Sequence, residues 1–213
     1  MSQRTVHLYV FEGFADWEAA HAIAAINQPA FQQPTDDRQP WRVMAVGVAG
    51  DMVRSMGGLA VVPDTHLDNV LPDHSAMLIL PGGPGWEDPE HHAEAEALAR
   101  RFADAGTPVA AICGATAGLA RAGLLDDRLH TSNALAYLKG TGYAGTDRYD
   151  DSAAVTDRGV ITAGGMAPVD FAREILALLG IYTPEVLAAW HDLYKTGESR
   201  HWMRMAEAAG TAD

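Results

Sequence analysis

Short apolar runs alternate along this chain with stretches of helical spacing, and that alternation most limits the folds open to it. "VHLYVF" (6–11), "WRVMAVGV" (41–48), "AMLILPGG" (76–83) and "PVAAIC" (108–113) read as strands. They lack the every-second-residue polarity of a half-solvated strand, so both of their faces must be covered. "ADWEAAHAIAAIN" (15–27) has helical spacing, with Trp17, Ala20, Ile23, Ala24 and Ile26 broadly on one side. "PEHHAEAEALARRFADAG" (89–106) is a helix with Pro89 near its start and Gly106 at its end, and "GATAGLARAGLL" is the next. A chain that alternates in this way forms a mostly parallel sheet with helices on both faces.

The remaining segments fit around that sheet. "VRSM" (53–56) and "LAVVPD" (59–64), separated by Gly57-Gly58, read as a hairpin, and 153–165 as another around Asp157-Arg158-Gly159. Residues 129–140 suggest a short strand and then a short helix. "APVDFAREILALLG" (167–180) is an amphipathic helix stopped by Gly180. "TPEVLAAWHDLYKTG" (183–197) opens with Thr183 as N-cap, Pro184 at the first helical position and Glu185 in the first turn. A further helix is expected in the tail from 198. No linker or repeat interrupts the chain, so residues 1–213 read as one α/β domain whose C-terminal helices begin at about 183.

Composition excludes several functions. The formal net charge is −13, and no basic run is present, which argues against nucleic acid and anionic membranes as partners. No apolar run approaches the roughly 18–20 residues of a membrane span. The N-terminus "MSQRTVHLYVF" reads as unprocessed, which makes the cytoplasm the expected location. A single cysteine can form neither an intrachain disulfide nor a multi-thiolate metal site. No His-x-x-x-His or Cys-x-x-Cys spacing offers converging ligands, so no metal is expected, and no cofactor either.

That cysteine, Cys113, stands where a strand turns into a helix, among the small residues Ala111, Gly114 and Ala115. A nucleophile on such a sharp turn is pushed into the open at the top of the sheet. The helix N-terminus behind it favours a thiolate, so a depressed thiol pKa is expected. The alternative is an inert buried cysteine. Two other strand ends converge on the same edge, where α/β sheets place their sites. "LPGGPGW" (80–86) offers approachable backbone at Gly82 and Gly83. "FEGFADWE" carries Asp16 and Glu18, about 200° apart around a helix, so the two cannot both point at Cys113. Asp16 reads as a first-turn or capping acid. Trp17 and Trp86 are candidates for a pocket wall, with a core anchor or dimer contact as the alternative.

The "AAICGATAGLARAGLL" elbow, the "ILPGG" loop and the "FEGFADWE" segment together resemble the ThiJ/PfpI superfamily, which has the class I glutamine amidotransferase-like fold. The likeness runs in order from about residue 5 to 180. It implies a flavodoxin-like three-layer sandwich and a homodimer. It also implies a reactive Cys113, a carboxylate contact from Glu18 (with Asp16 as fallback) and oxyanion N–H groups at Gly83 and Gly114. Glu18 is then expected to hold the proton when the thiol is ionised.

The chain departs from the family at its histidines. Protease-like members have a histidine directly after the nucleophile, where this chain has Gly114. Other members have one where Ser132 stands, and His130 lies two residues earlier. His21 reads as helix packing, and His91 and His92 as solvated. The expected chemistry is cysteine-dependent hydrolysis, hydration or amidotransferase-like chemistry on a small molecule. The alternative is a redox-sensing or stress-response protein whose Cys113 is oxidised without turnover. A silent binding domain on the same scaffold is a third possibility. Trp190, Tyr194, Trp202 and Met203 are expected to cover the sheet or a partner subunit.

Overall fold

The computed structural model describes residues 4–34 and 40–211. The start of the N-terminus read as unprocessed and the last two residues of the tail lie outside them. Among the described residues the main sheet has seven strands: β1 (Thr5–Tyr9), β2 (Arg42–Gly47), β5 (Thr65–His66), β6 (Met77–Leu80), β7 (Val109–Ile112), β8 (Ala154–Asp157) and β9 (Val160–Ala163). Their order across the sheet is β5-β2-β1-β6-β7-β9-β8, and every pair is parallel except β8 with β9. The expected α/β, mostly parallel sandwich is therefore observed. All four residues of β6 and of β7 are buried, as their unbroken apolar runs require.

The helices are α1 (Asp16–Asn27), α2 (Ala93–Asp104), α3 (Ala115–Arg121), α4 (Leu135–Lys139), α5 (Pro168–Leu179), α6 (Pro184–Thr196) and α7 (Ser199–Ala208). Thr183 caps α6 by accepting from the Val186 N–H at 3.2 Å, and Gly180 closes α5 in the left-handed conformation at φ 63°. The β8–β9 hairpin turns on Arg158 and Gly159, both at positive φ, as a two-residue turn matching strand twist demands.

Several boundaries differ from the sequence reading. Residues 89–92 form turns, and α2 begins only at Ala93. The strand expected near 129 is a single bridge from His130 to Tyr149. β5 had no signal, because two residues cannot display an alternation. The buried face of α1 is Ala19, Ala22, Ala25 and Ile26, with Glu18 beside them, while Trp17 is exposed. Alanines on every side of this helix blur its amphipathicity, so spacing alone misplaced the face. The hairpin β3 (Val53–Arg54) and β4 (Ala60–Val61) forms its own two-stranded sheet. It is tied to the loop after β1 by Gly13 N–H to Arg54 O (2.7 Å) and Met56 N–H to Phe14 O (2.8 Å).

Candidate active site

Cys113 follows the last residue of β7 and precedes α3, with φ at 58°. A non-glycine residue held there costs on the order of 1–3 kcal/mol, and the surroundings must over-determine it. They do so at the backbone, where Cys113 N–H donates to Ala163 O at 2.9 Å and Thr116 Oγ1 donates to Cys113 O at 2.6 Å. Two glycines leave room for the side chain. A Cβ on Gly82 would lie 2.8 Å from the Cys113 Cβ and 3.1 Å from its Sγ, and one on Gly165 would lie 2.9 Å from Sγ. Any side chain at either position would collide with the thiol.

Glu18 reaches the same point from the first turn of α1. It is 2 % exposed, and its Oε2 accepts the Gly82 N–H at 2.5 Å. Ala15 N–H in turn donates to Gly82 O at 2.9 Å, so the start of α1 and the end of β6 are laced together. Glu18 is also hydrogen-bonded to Cys113. Burial pushes the Glu18 carboxyl above the usual carboxylate range, against the opposing pull of the Gly82 N–H and the Cys113 contact.

Burial likewise raises the Cys113 thiol. The Asn133 amide and the Gly114 N–H oppose this, while the Glu18 charge adds to it. The expected depressed thiol is therefore corrected. The helix N-terminus behind Cys113 is outweighed by desolvation and by a carboxylate in contact with the sulfur.

A third strand end completes the surroundings. Asn133 Oδ1 accepts the Gly165 N–H at 2.8 Å, just beyond β9, and its Nδ2 donates to Cys113 Sγ at 3.3 Å. Sequence reasoning missed both Asn133 and Gly165. It looked one residue too early, at Ser132, whose hydroxyl is instead buried and 2.7 Å from Thr116 Oγ1. The only available signal was an amide directly after the position where relatives carry a histidine.

The other candidates fall elsewhere. Trp86 is fully buried, donates Nε1–H to Pro81 O at 3.0 Å and packs against Gly114 and Gly118, so it anchors the core beneath the elbow and walls no pocket. Trp17 is 43 % exposed at the surface. Asp16 does not cap α1 with its side chain. Its Oδ2 accepts from Ser55 Oγ at 2.8 Å and so clamps the β3–β4 hairpin. Among the described residues Gly83 N–H has no partner, and the Gly114 N–H faces the sulfur.

Among the described residues no histidine is hydrogen-bonded to the thiol. His130 is buried, with Nδ1 2.8 Å from Arg128 O and Nε2 3.0 Å from Tyr143 OH. His21 packs edge-on against Trp190 and Tyr194. His91 is exposed, as expected, but His92 is 1 % exposed rather than solvated. It stacks on Trp86 and is held by Tyr9 OH and Pro84 O, each at 3.0 Å. Since only an N–H can serve the Pro84 carbonyl, Nε2 carries the proton and Tyr9 donates to Nδ1. Among the described residues no group of three or more His, Cys, Asp or Glu converges as a metal site. No helix among them is long and apolar enough to cross a membrane.

The sequence pattern described as the DJ-1/PfpI family matches residues 4–178. The chain is 37% identical to a Bacillus subtilis (strain 168) protein named "Uncharacterized protease YoaZ", over 96% of this chain and 97% of that one. A thiJ/pfpI family protein from Bacillus anthracis superposes with a TM-score of 0.90 at 37% identity, covering 98% of both chains. The DJ-1 superfamily protein Atu0886 from Agrobacterium tumefaciens gives 0.79, also at 37% identity, over 92% of this chain and 100% of that one. A strained elbow cysteine, a buried carboxyl beside it and a sequence match along most of the chain lead to one conclusion: this chain belongs to the DJ-1/PfpI family.

Proposed function

We propose that the protein is a cysteine-dependent hydrolase of small acyl compounds, with Cys113 as nucleophile and Glu18 as its proton partner. One observation carries this reading. A thiol, a buried carboxyl and backbone N–H groups from separate strand ends meet at one point. Both acids are raised, chiefly by burial, and, being in contact, they titrate as a coupled pair. In the attacking step the S–C bond forms while the thiol proton passes to the Glu18 carboxylate. The carbonyl π pair moves to oxygen, where the Gly114 and Gly83 N–H groups would stabilise it. Collapse of that oxyanion expels the leaving group, which takes the proton from Glu18. Water then cleaves the thioester and returns a proton to the pair. The Asn133 amide cannot accept a proton, so it positions the sulfur and is not a base.

Without a histidine, protonating a poor amine leaving group falls to Glu18 alone. That favours small activated esters and thioesters over folded protein substrates. "Protease" in the relative's name describes that relative and is carried here only as hydrolysis. The sensor reading needs the same thiolate, supplied by the same proton transfer to Glu18, so turnover is what separates the two. A single free thiol suits a reducing compartment such as the cytoplasm.

A panel of small esters, thioesters and amides assayed with Cys113→Ser and Glu18→Gln tests the proposal. Turnover should vanish in the first variant. In the second it should fall by about 10²-fold or more, the usual scale of lost acid–base catalysis, while alkylation of Cys113 at neutral pH becomes faster because the adjacent charge is gone. A peroxide-driven gain of two oxygens on Cys113 with no turnover on any substrate would replace this reading with the sensor.

A further inference from the structure

The loop after β6 (81–86) carries the Gly83 N–H that would face the oxyanion under the hydrolase reading. Three of its carbonyls are held, each by a donor from a different place. The Trp86 indole N–H donates to Pro81 O at 3.0 Å, Ala15 N–H to Gly82 O at 2.9 Å, and His92 Nε2–H to Pro84 O at 3.0 Å. In a trans peptide group the carbonyl and the following N–H point in opposite directions, and none of the described peptide bonds is cis. Holding Pro81 O therefore turns the Gly82 N–H toward Glu18 Oε2, which it reaches at 2.5 Å, and holding Gly82 O turns the Gly83 N–H away from α1. The loop needs such anchors, because it contains glycines at φ 149° (Gly83) and 92° (Gly85), with wide conformational freedom.

The anchor on Pro84 O differs from the other two in being conditional. A backbone or indole N–H is always a donor, but an imidazole Nε2 is one only when the proton sits there. Tyr9 decides the matter, since its hydroxyl donates to Nδ1 at 3.0 Å and Nδ1 must then be bare. Burial keeps the Tyr9 phenol above its ordinary value, so its proton is in place, and burial holds His92 below its own, so the ring is neutral. Tyr9 and His92 are each 1 % exposed. The His92 ring packs against Trp86 and Phe11, with centroids 4.2 and 4.5 Å away. An apolar ring would fill that space equally well. What the imidazole adds is an acceptor for Tyr9 and a donor for the loop.

We infer that Tyr9 and His92 are positioning residues for the oxyanion loop: the Tyr9 hydroxyl fixes the His92 tautomer, and His92 Nε2–H holds Pro84 O so that the Gly83 N–H keeps its aim. Neither is hydrogen-bonded to Cys113, so both act through the loop. Any effect on turnover rests on the hydrolase reading, whereas the hold on the loop does not.

The test compares the whole protein as wild type, Tyr9→Phe, His92→Phe and His92→Gln. The Gln amide can offer an N–H to Pro84 O and an oxygen to Tyr9, whereas Phe offers neither. In the wild type, nitrogen NMR of the His92 ring should show Nε2 protonated and Nδ1 bare. Amide exchange at Ala15 and Gly82, whose bonds lock the loop, should quicken about tenfold in His92→Phe and return toward wild type in His92→Gln, with β6 and β7 amides unchanged. On an acyl thioester, kcat should fall about tenfold in His92→Phe and by less in Tyr9→Phe at unchanged KM, a part of the roughly 10²–10³-fold that losing an oxyanion donor costs. Exchange quickened equally throughout the sheet, or His92→Gln no better than His92→Phe, would reduce His92 to core packing and overturn the inference. Loop amides unchanged in His92→Phe, or a loosened loop with kcat intact, would overturn it too. A wild type that hydrolyses no acyl compound removes the hydrolase reading instead, and the exchange results then decide by themselves whether Tyr9 and His92 hold the loop.

Discussion

At Cys113 two effects of comparable kind oppose each other. The elbow gives the sulfur the Gly114 N–H and the Asn133 amide, both of which favour thiolate, but burial and the Glu18 carboxylate favour the thiol. Desolvation is the largest of these, so the proton stays. Alkylation of Cys113 should therefore show an inflection above the ordinary free-thiol value of about 8.5. Asn133→Ala should move it higher still, because that variant removes the only side chain donating to the sulfur among the described residues. A pH profile of iodoacetamide reactivity reads both effects, and an inflection below the free-thiol value would contradict the balance drawn here. The sequence made Cys113 and Glu18 legible because each lies on a local pattern, an elbow and a first helical turn. Asn133 was hidden, since it reaches the sulfur across 20 residues of chain from a segment with no regular period.

Among the elements, the β3–β4 hairpin is held by few bonds, and Asp16 supplies one of them. The sequence gives Asp16 the local role of a first-turn acid, but its side chain turns away from the helix to Ser55. Asp16→Ala should therefore cost about 1 kcal/mol, the net worth of such a bond, and loosen the hairpin more than the helix. Hydrogen exchange should quicken at Ser55 and Leu59, whose amides close the hairpin, while α1 amides keep their protection. Fraying confined to α1 would restore the capping role. α1 shows the same limit of local reading, because a helix rich in alanine has a core face set by what packs on it and not by its own periodicity.

Across the whole molecule, buried neutral histidines set the response to acid. His7 is lowered to about 4 by burial and Arg42, and His21, His92 and His130 are lowered chiefly by burial. Each holds a proton more readily in the unfolded chain. Their contribution is complete above an unfolded value near 6.5 and drains away as the pH falls through the folded values, to about 4 for His7. That shift alone corresponds to on the order of 3 kcal/mol. Glu18, with its raised value, works in the opposite direction. Urea unfolding should show clearly lower stability at pH 5 than at pH 7, with a shallower dependence in His7→Phe, and equal stability at the two pH values would refute the account.

We further propose that the chain forms a homodimer. The exposed side chains of Met56, Leu59 and Val62 on the hairpin region, and of Tyr194, Trp202 and Met203 beside a cavity of about 920 Å³ between α1 and the C-terminal helices, offer the apolar surface for it. Sedimentation should give about twice the 22.7 kDa chain mass, and a monomer throughout the micromolar range would reject it.

Unbroken apolar runs between amphipathic helices can be buried in few ways other than a layered α/β architecture, and the elbow pattern sets the thiol at a strand end, while the choice of Glu18 over Asp16 as its carboxyl came from the family resemblance. Only the tertiary structure decided the thiol's ionisation, the partner role of Asn133, the burial of Trp86 and His92, and the orphaned nitrogen of His7. Each of these depends on desolvation or on a contact between segments distant in the chain, and neither quantity is written in local periodicity.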